Sequence, residues 1–277
     1  MVKTIIPTTF IAEIGLNHNG SLDLAKKHIE QAKESGATIA KFQTYFTDTR
    51  VKPNSPIRSI LSQCELNKDQ FYELKEFSQS LNIEFASTAF CDKSADLLKD
   101  IGCSVFKIAS FHLSNAKLIE KIINFKDCKK IIVSTGVSSS AQILHINNLY
   151  DSIIDHKPEI AFLHCVSEYP ISSNKNINLV NIPFIKSITE KEVGFSDHSI
   201  GSEAPAIAVA LGATIIEKHF TIDQNLPGAD HSMSANPEIF KKMVQKCNLT
   251  LEMIGQRRLN KPYECEKNSI PYCVTDN

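Results

Sequence analysis

Residues 192–232 read EVGFSDHSIGSEAPAIAVALGATIIEKHFTIDQNLPGADHS, and this stretch decides the fold. Val193 to Ser196 is short and apolar, as a buried strand requires. Ser202 to Leu211 is Ala-rich, opens on a serine suited to an N-cap and is followed by Gly212, which reads as a helix. Ala213 to His219 is a second β-run. His198 and His219 thus fall at or just after the ends of two successive strands, one βα unit apart. In a parallel barrel both stand on one rim. A single histidine at a strand end is more often a hydrogen-bonded structural residue than a ligand. Two at matching places, beside Ser196-Asp197-His198 and Gly228-Ala229-Asp230-His231, point to a metal or an anionic substrate.

The same alternation runs outward through the chain. Strands are expected at Phe10–Ile14, Ala37–Gln43, Ile83–Ser87, Ser104–Ala109, Lys130–Ser134 and Glu159–Cys165. Helical stretches fall at Ser21–Ser35, Lys68–Leu81, Ser94–Ile101, Asn115–Asn124, Ser139–Tyr150, Asn178–Ser187 and, with Pro237 in its first turn, Asn236–Ile254. Thr44 to Leu66 reads as a long polar connection. Strands alternating with helices imply parallel pairing with right-handed crossovers. A closed (β/α)8 TIM barrel over residues 1–255 satisfies the count, with an open doubly wound sheet as the alternative. No GxGxxG or P-loop follows any strand, which argues against a nucleotide-binding sheet. Residues 256–277 read as a polar C-terminal tail or truncated linker.

Length and composition fit. The 277 residues suit an α/β barrel of about 250 residues, and 42% hydrophobic with 22% charged residues supplies a large core. Thirty basic and 31 acidic side chains give a net charge of -1 without a Lys/Arg block, which argues against nucleic acid and membrane surfaces as partners. The N-terminus lacks a secretory layout and no apolar run approaches a membrane span, so a cytoplasmic protein is expected. The eight cysteines are scattered without a CxxC pair and read as reduced thiols, several of them core-filling.

In such a barrel the site lies at the carboxyl ends of the strands. There stand Glu13, Asn17 and His18 on the first; Lys41 and Gln43 on the second; Ser87 and Thr88 on the third; and Lys107 and Ser110 on the fourth. The fifth carries Ser134 and Thr135, the sixth His164, Ser167, Glu168 and Tyr169, the seventh Ser196 and His198, and the eighth Glu217, His219 and Asp230. Lys41 with Gln43, Ser196 with His198 and Glu217 with His219 are each two apart and share a side of their strand. Lys41 and Lys107 interrupt apolar strands, so each needs an anion: either a floor carboxylate such as Glu13 or Glu217, or a substrate. Two lysines ringed by hydroxyls suit a phosphate plus a carboxylate. A lysine in an apolar barrel strand also suits Schiff-base aldolase chemistry on Lys107 or Lys41. His28, His145 and His156 are expected at the surface.

IAEIGLNHNG, AKFQTY, FASTAF, FKIAS, VSTG, LHCVSEYP, GFSDHSIG, IIEKHFT and GADHSMS, in order from Phe10 to Ile254, resemble the sialic acid synthase family, the bacterial N-acetylneuraminate synthases and their relatives. The resemblance implies a (β/α)8 barrel that condenses phosphoenolpyruvate with an N-acylated hexosamine such as N-acetylmannosamine, giving a nonulosonic acid and phosphate. It implies a divalent cation (Mn2+, or Mg2+ or Co2+) on His198 and His219. Lys41, Thr88, Lys107, Ser110, Ser134, Ser167 and Ser196 would surround phosphoenolpyruvate. Gln43, Tyr169 and Asp230 would meet the sugar, and Glu13 would stand by the reacting atoms. The chain departs from the family at His112, where an acidic residue is usual two positions beyond the FKIAS serine; His112 can titrate near neutrality in its place. The family also commonly continues into a lid domain that closes the partner's site, which implies a homodimer or a separate lid-domain protein. A barrel that binds ligand without turnover is the reading outside enzymology.

Overall fold

The computed structural model describes residues 7–154, 157–255 and 262–273. In chain order the elements are β1 (Thr9–Gly15), α1 (Leu22–Glu34), β2 (Ile39–Thr44), α2 (Thr47–Arg50), α3 (Arg58–Cys64), α4 (Lys68–Ser80), β3 (Glu84–Ala89), α5 (Asp92–Asp100) and β4 (Val105–Ile108). They continue as α6 (Ala116–Ile123), β5 (Lys130–Ser134), α7 (Ser140–Ser152), β6 (Glu159–Cys165), α8 (Asn181–Thr189), β7 (Glu192–Asp197), α9 (Glu203–Ala210), β8 (Ile215–His219) and α10 (Pro237–Ile254). The strands close as β1-β2-β3-β4-β5-β6-β7-β8, every pair parallel. The open-sheet alternative is thereby excluded.

Local chemistry sets the helix ends. Side chains of Ser21, Asn67, Asn115, Ser139 and Asn236 each accept an N-terminal backbone N–H, and Asn67 and Ser139 do so within capping boxes. Ser202 departs from expectation: its hydroxyl makes no cap bond and instead accepts from Lys246 Nζ at 3.0 Å. The connection 44–66 is not continuous loop, because α2 and α3 form within it. In the stretch expected to be a tail, residues 262–273 hold two 3₁₀ turns, Glu264–Glu266 and Ile270–Tyr272; the rest of that tail lies outside the described residues, as does His156. Among the described residues no helix is long and apolar enough to cross a membrane.

Two-residue alternation divides the buried side chains into two cores. Outward-facing residues such as Phe42, Phe106, Phe162 and Phe195 pack with the helices. Inward, Ile11, Ile39, Ala86, Val105, Ile132, Ala161, Leu163 and Ile215 fill the lower barrel. Gly194 belongs to this inner layer: a Cβ there would come within 2.6 Å of Leu163 Cδ2 and 2.4 Å of the Ile215 carbonyl oxygen. Two residues further along every strand but β6 the inward positions change character, becoming Glu13, Lys41, Thr88, Lys107, Ser134, Ser196 and Glu217, all buried. The apolar layer is the floor on which a polar one rests.

Candidate active site

Register brings that polar layer together. Glu13 pairs with Lys41 on one side and His219 on the other, Thr88 pairs with Lys107, and Ser196 pairs with Glu217. Lys41 Nζ lies 2.5 Å from Glu13 Oε2 and 3.4 Å from Glu217 Oε2, and donates to Thr88 Oγ1 at 3.2 Å. Lys107 Nζ donates to Ser134 Oγ at 2.6 Å and to the Ile108 carbonyl at 3.1 Å, and stands 3.7 Å from Glu217 Oε1. Ser196 donates to Glu217 Oε1 at 2.8 Å.

The two ammonium groups fare differently. Burial pulls the Lys41 pKa down, but Glu13 and Glu217 outweigh it and hold the group above its ordinary value. For Lys107 burial wins, because Glu217 is its main counter-charge and Lys41 repels it, so its pKa is lowered. Glu217, buried between both lysines, is held below the ordinary carboxylate range: their charge and the Ser196 hydrogen bond overcome its desolvation. Lys107 is thus the less fully charge-compensated of the two lysines.

Above this layer the β7 and β8 histidines face one another with ring centroids 5.6 Å apart, and Tyr169 packs on His198 at 4.1 Å. His198 Nδ1 lies 2.6 Å from the Val166 carbonyl; this fixes the neutral tautomer with Nδ1 protonated and leaves Nε2 as a lone pair. Burial, then the neighbouring His219, push the His198 pKa down to about 3. His219 Nδ1 is buried with no hydrogen-bond partner and lies 3.8 Å from Asp230 Oδ2. The two imidazoles are donors of the type a divalent cation takes, and the Asp230 carboxylate lies nearby without being drawn into a three-residue cluster with them. Among the described residues no group of three or more His, Cys, Asp or Glu is arranged to hold one.

One cavity of about 320 Å³ takes in Glu13, Lys41, Gln43, Thr88, Lys107, Ser110, Ser134, Tyr169, Ser196, His198, His219 and Asp230 together. Of the residues the family resemblance brings to the site, Ser167 and His112 do not line it. Ser167 Oγ is buried without a partner behind Gly136, where an added Cβ would meet it at 2.4 Å, with Cys165 Sγ at 2.7 Å and Ser110 Oγ at 2.8 Å. This is a cradle of two hydroxyls, a thiol and a bare backbone. His112 closes the 3₁₀ turn Ser110–His112 and packs edge-on to Phe90 at 5.3 Å, its pKa lowered by burial and then by Arg50.

Other rim residues serve the frame. His18 and His164 point out of the barrel onto Phe42 and Phe195, and Asn17 ties the β1 loop to the Phe220 carbonyl and Ser234 Oγ. His28, expected at the surface, is fully buried on α1 beside Phe220 and His231, whereas His145 is exposed. Sequence reading missed Arg50. It reaches the cavity from α2, donates to Gln43 Oε1 at 3.2 Å and lies over the Tyr45 and Phe90 rings at 4.4 and 3.8 Å. Gln43 in turn donates to Glu13 Oε1 at 2.9 Å, which links Arg50 to the lysine layer.

A closed parallel barrel with lysines, hydroxyls and paired imidazoles at the carboxyl mouth defines an enzyme site for an anionic substrate. The chain belongs to the NeuB family, whose model matches residues 28–258. It is 38% identical over 268 residues to the N,N'-diacetyllegionaminic acid synthase of Legionella pneumophila, covering 88% of this chain and 72% of that one. It is 32% identical over 274 residues to the pseudaminic acid synthase of Campylobacter jejuni, covering 94% and 78%. The structure superposes on the N-acetylneuraminic acid synthetase of Leptospira borgpetersenii with a TM-score of 0.90 and 36% identity, covering 97% of this chain and 92% of that one. The protein is an enzyme of this synthase class.

Proposed function

We propose that the protein condenses phosphoenolpyruvate with an N-acyl hexosamine such as N-acetylmannosamine to give a nonulosonic acid and phosphate. The observation that carries this reading is the convergence of Lys41, Lys107, His198 and His219 on one cavity. The phosphoenolpyruvate anions take Lys107, Ser134 and Ser110, with Ser167 behind Gly136 next to Ser110, and Ser196 and Thr88 complete the donors around them. Carbon 3 of the enol bonds to the acceptor's aldehyde carbon, whose oxygen takes a proton. Water adds at carbon 2, and the bond from carbon 2 to the phosphate oxygen breaks. Lys41 and Lys107 hold the anionic charge throughout, and Glu13, held by Gln43 and Lys41, orients the water or moves its proton. Tyr169, Gln43 and Asp230 border the acceptor's end of the cavity. His112 stands behind that end, where it supports Phe90.

A divalent cation, Mn2+ or Mg2+ or Co2+, would be held by His198 and His219, with Asp230 beside them. Bound there it would supply Lewis-acid polarisation of the aldehyde. Exposed Phe111, Val137, Tyr169 and Ile200 fit a covering partner, either a second copy of the chain or a separate lid-domain protein.

Phosphate release across a panel of N-acyl hexosamines tests the reading. Release is expected only when phosphoenolpyruvate and an acylated acceptor are both present, and is expected to stop on complete metal removal. The lowered pKa of Lys107 favours a second reading, a Schiff-base aldolase. A borohydride-stable adduct of a keto acid on Lys107 would establish that chemistry instead.

A further inference from the structure

We infer that Arg50 reads the acyl group of the acceptor sugar: its guanidinium donates to the acyl carbonyl while the acyl carbon chain rests on Ile57, Ile60 and Leu61. This deepens the proposed function and rests on it for the acceptor's identity.

Arg50 is held in a fixed plane. Its Cζ lies 3.8 Å from the Phe90 centroid and 4.4 Å from that of Tyr45, and Nη2 donates to Gln43 Oε1 at 3.2 Å. The other terminal nitrogen, Nη1, is buried and has no hydrogen-bond partner. A buried donor left unmade is costly, and one on a cation more so, so this edge calls for an oxygen acceptor. Arg50 lines the same cavity as Lys41 and His198, so the missing acceptor can come from a substrate.

The surroundings decide what kind of oxygen that is. Ile57, Ile60 and Leu61 line the same cavity, and Tyr45, which packs on Arg50, donates to the Leu61 carbonyl at 2.8 Å; Leu61 is buried, while Ile57 and Ile60 are 49% and 40% exposed. An apolar wall beside one positioned donor matches a group that is alkyl at one end and carbonyl at the other. A phosphate or carboxylate substituent matches poorly here, since it would lie against that apolar wall. An acyl amide satisfies Nη1 without adding charge, and the exposure of Ile57 and Ile60 leaves room for chains longer than acetyl.

The test uses the full chain with its metal, phosphoenolpyruvate, and either N-acetylmannosamine, N-propionylmannosamine or mannose. Arg50→Met keeps a side chain for the two rings and removes the donor; Arg50→Lys keeps the charge and removes the planar edge. Thermal unfolding confirms that both variants fold. Losing a hydrogen bond from a charged group predicts a rise of about 10- to 100-fold in KM for the acylated acceptors, with a smaller rise for Arg50→Lys and native KM for phosphoenolpyruvate. Ile60→Asp, on the open wall, is expected to raise KM for the propionyl sugar more than for the acetyl sugar. A native acceptor KM in Arg50→Met, or an equal loss on mannose, would overturn the inference and leave the proposed function standing. If the native protein releases no phosphate with any acceptor, the proposed function falls. Saturation-transfer NMR then decides the role of Arg50. Acyl methyl protons saturated by the native protein and not by Arg50→Met support it, and equal or absent saturation ends it.

Discussion

Strand β8 places two buried charges side by side, Glu217 facing into the barrel and Lys218 facing out, and the two are satisfied to different degrees. Lys218 Nζ donates to Asp197 Oδ2 and to the Ser199 carbonyl, both at 2.6 Å, and Asp197 Oδ1 accepts from the Ser199 backbone and hydroxyl. This outer pair is saturated, and it fixes the turn that carries His198. In the inner cluster Glu13 Oε2 and Glu217 Oε2 are buried close to Lys41 without hydrogen-bond geometry, and His219 Nδ1 has no partner. A saturated buried network builds structure, whereas an unsaturated one at the mouth of a barrel is waiting for a ligand.

That contrast predicts opposite phenotypes. Lys218→Met leaves the Asp197 carboxylate buried without its cation and is expected to cost about 3–5 kcal/mol, a fall of roughly 10 °C in Tm for a chain of this size. Adding Asp197→Leu should recover part of that loss, as a double-mutant cycle by thermal denaturation would show. Lys41→Met is expected to act on turnover, lowering kcat/KM by about 10²–10³-fold, the scale of removing one donor from a charge-stabilising site. A smaller Tm loss than that of Lys218→Met should accompany it, because Lys107 remains to balance the carboxylates. If Lys41→Met unfolded the protein as readily as Lys218→Met, the distinction between the two clusters would fail.

Buried histidines outside both clusters set an acid limit. Burial, followed by repulsion from His28, pushes His18 to about 4, and burial, with His231 nearby, does the same for His28, against 6.5 for the free side chain. Between those values the unfolded chain binds more protons than the folded one. Stability is therefore fully present above pH 6.5 and is lost progressively as pH drops from 6.5 to about 4, by roughly 3 kcal/mol for each histidine. Chemical denaturation between pH 7 and 4 measures it, and His28→Phe should flatten the slope. The smallest effect belongs to the exposed Lys121–Asp96 pair, 2.7 Å apart with side chains 32% and 53% exposed. Asp96→Asn is expected to cost less than about 1 kcal/mol and to leave turnover unchanged.

Much of this was legible in the sequence. Eight apolar runs separated by capped helical stretches lead to a closed parallel barrel, and the two-residue parity of Lys41 with Gln43 and Glu217 with His219 puts those side chains inside. The same parity places Lys218 outside, so strand-interrupting lysines divide into structural and functional ones by register rather than by composition. Arg50 was not legible. It lies in a connection without periodicity, and its position depends on Tyr45 and Phe90, the latter on the far side of β3, meeting around it. His28 was legible from its spacing: Ala25, His28, Ile29 and Ala32 form the buried face of α1, and a polar residue on that stripe is buried with it. Ser202 shows the reverse case, a suitable cap residue drawn away by a long-range partner, Lys246.

The central claim is that the two lysines and two histidines grip one enol phosphate and one cation at a single mouth. An anomalous-scattering map from crystals soaked with Mn2+ and phosphoenolpyruvate tests it most directly. The account predicts a manganese peak within bonding reach of both His198 and His219, and phosphoenolpyruvate density in contact with Lys41, Lys107 and Ser134. Manganese bound elsewhere, or phosphoenolpyruvate outside that cavity, would contradict it.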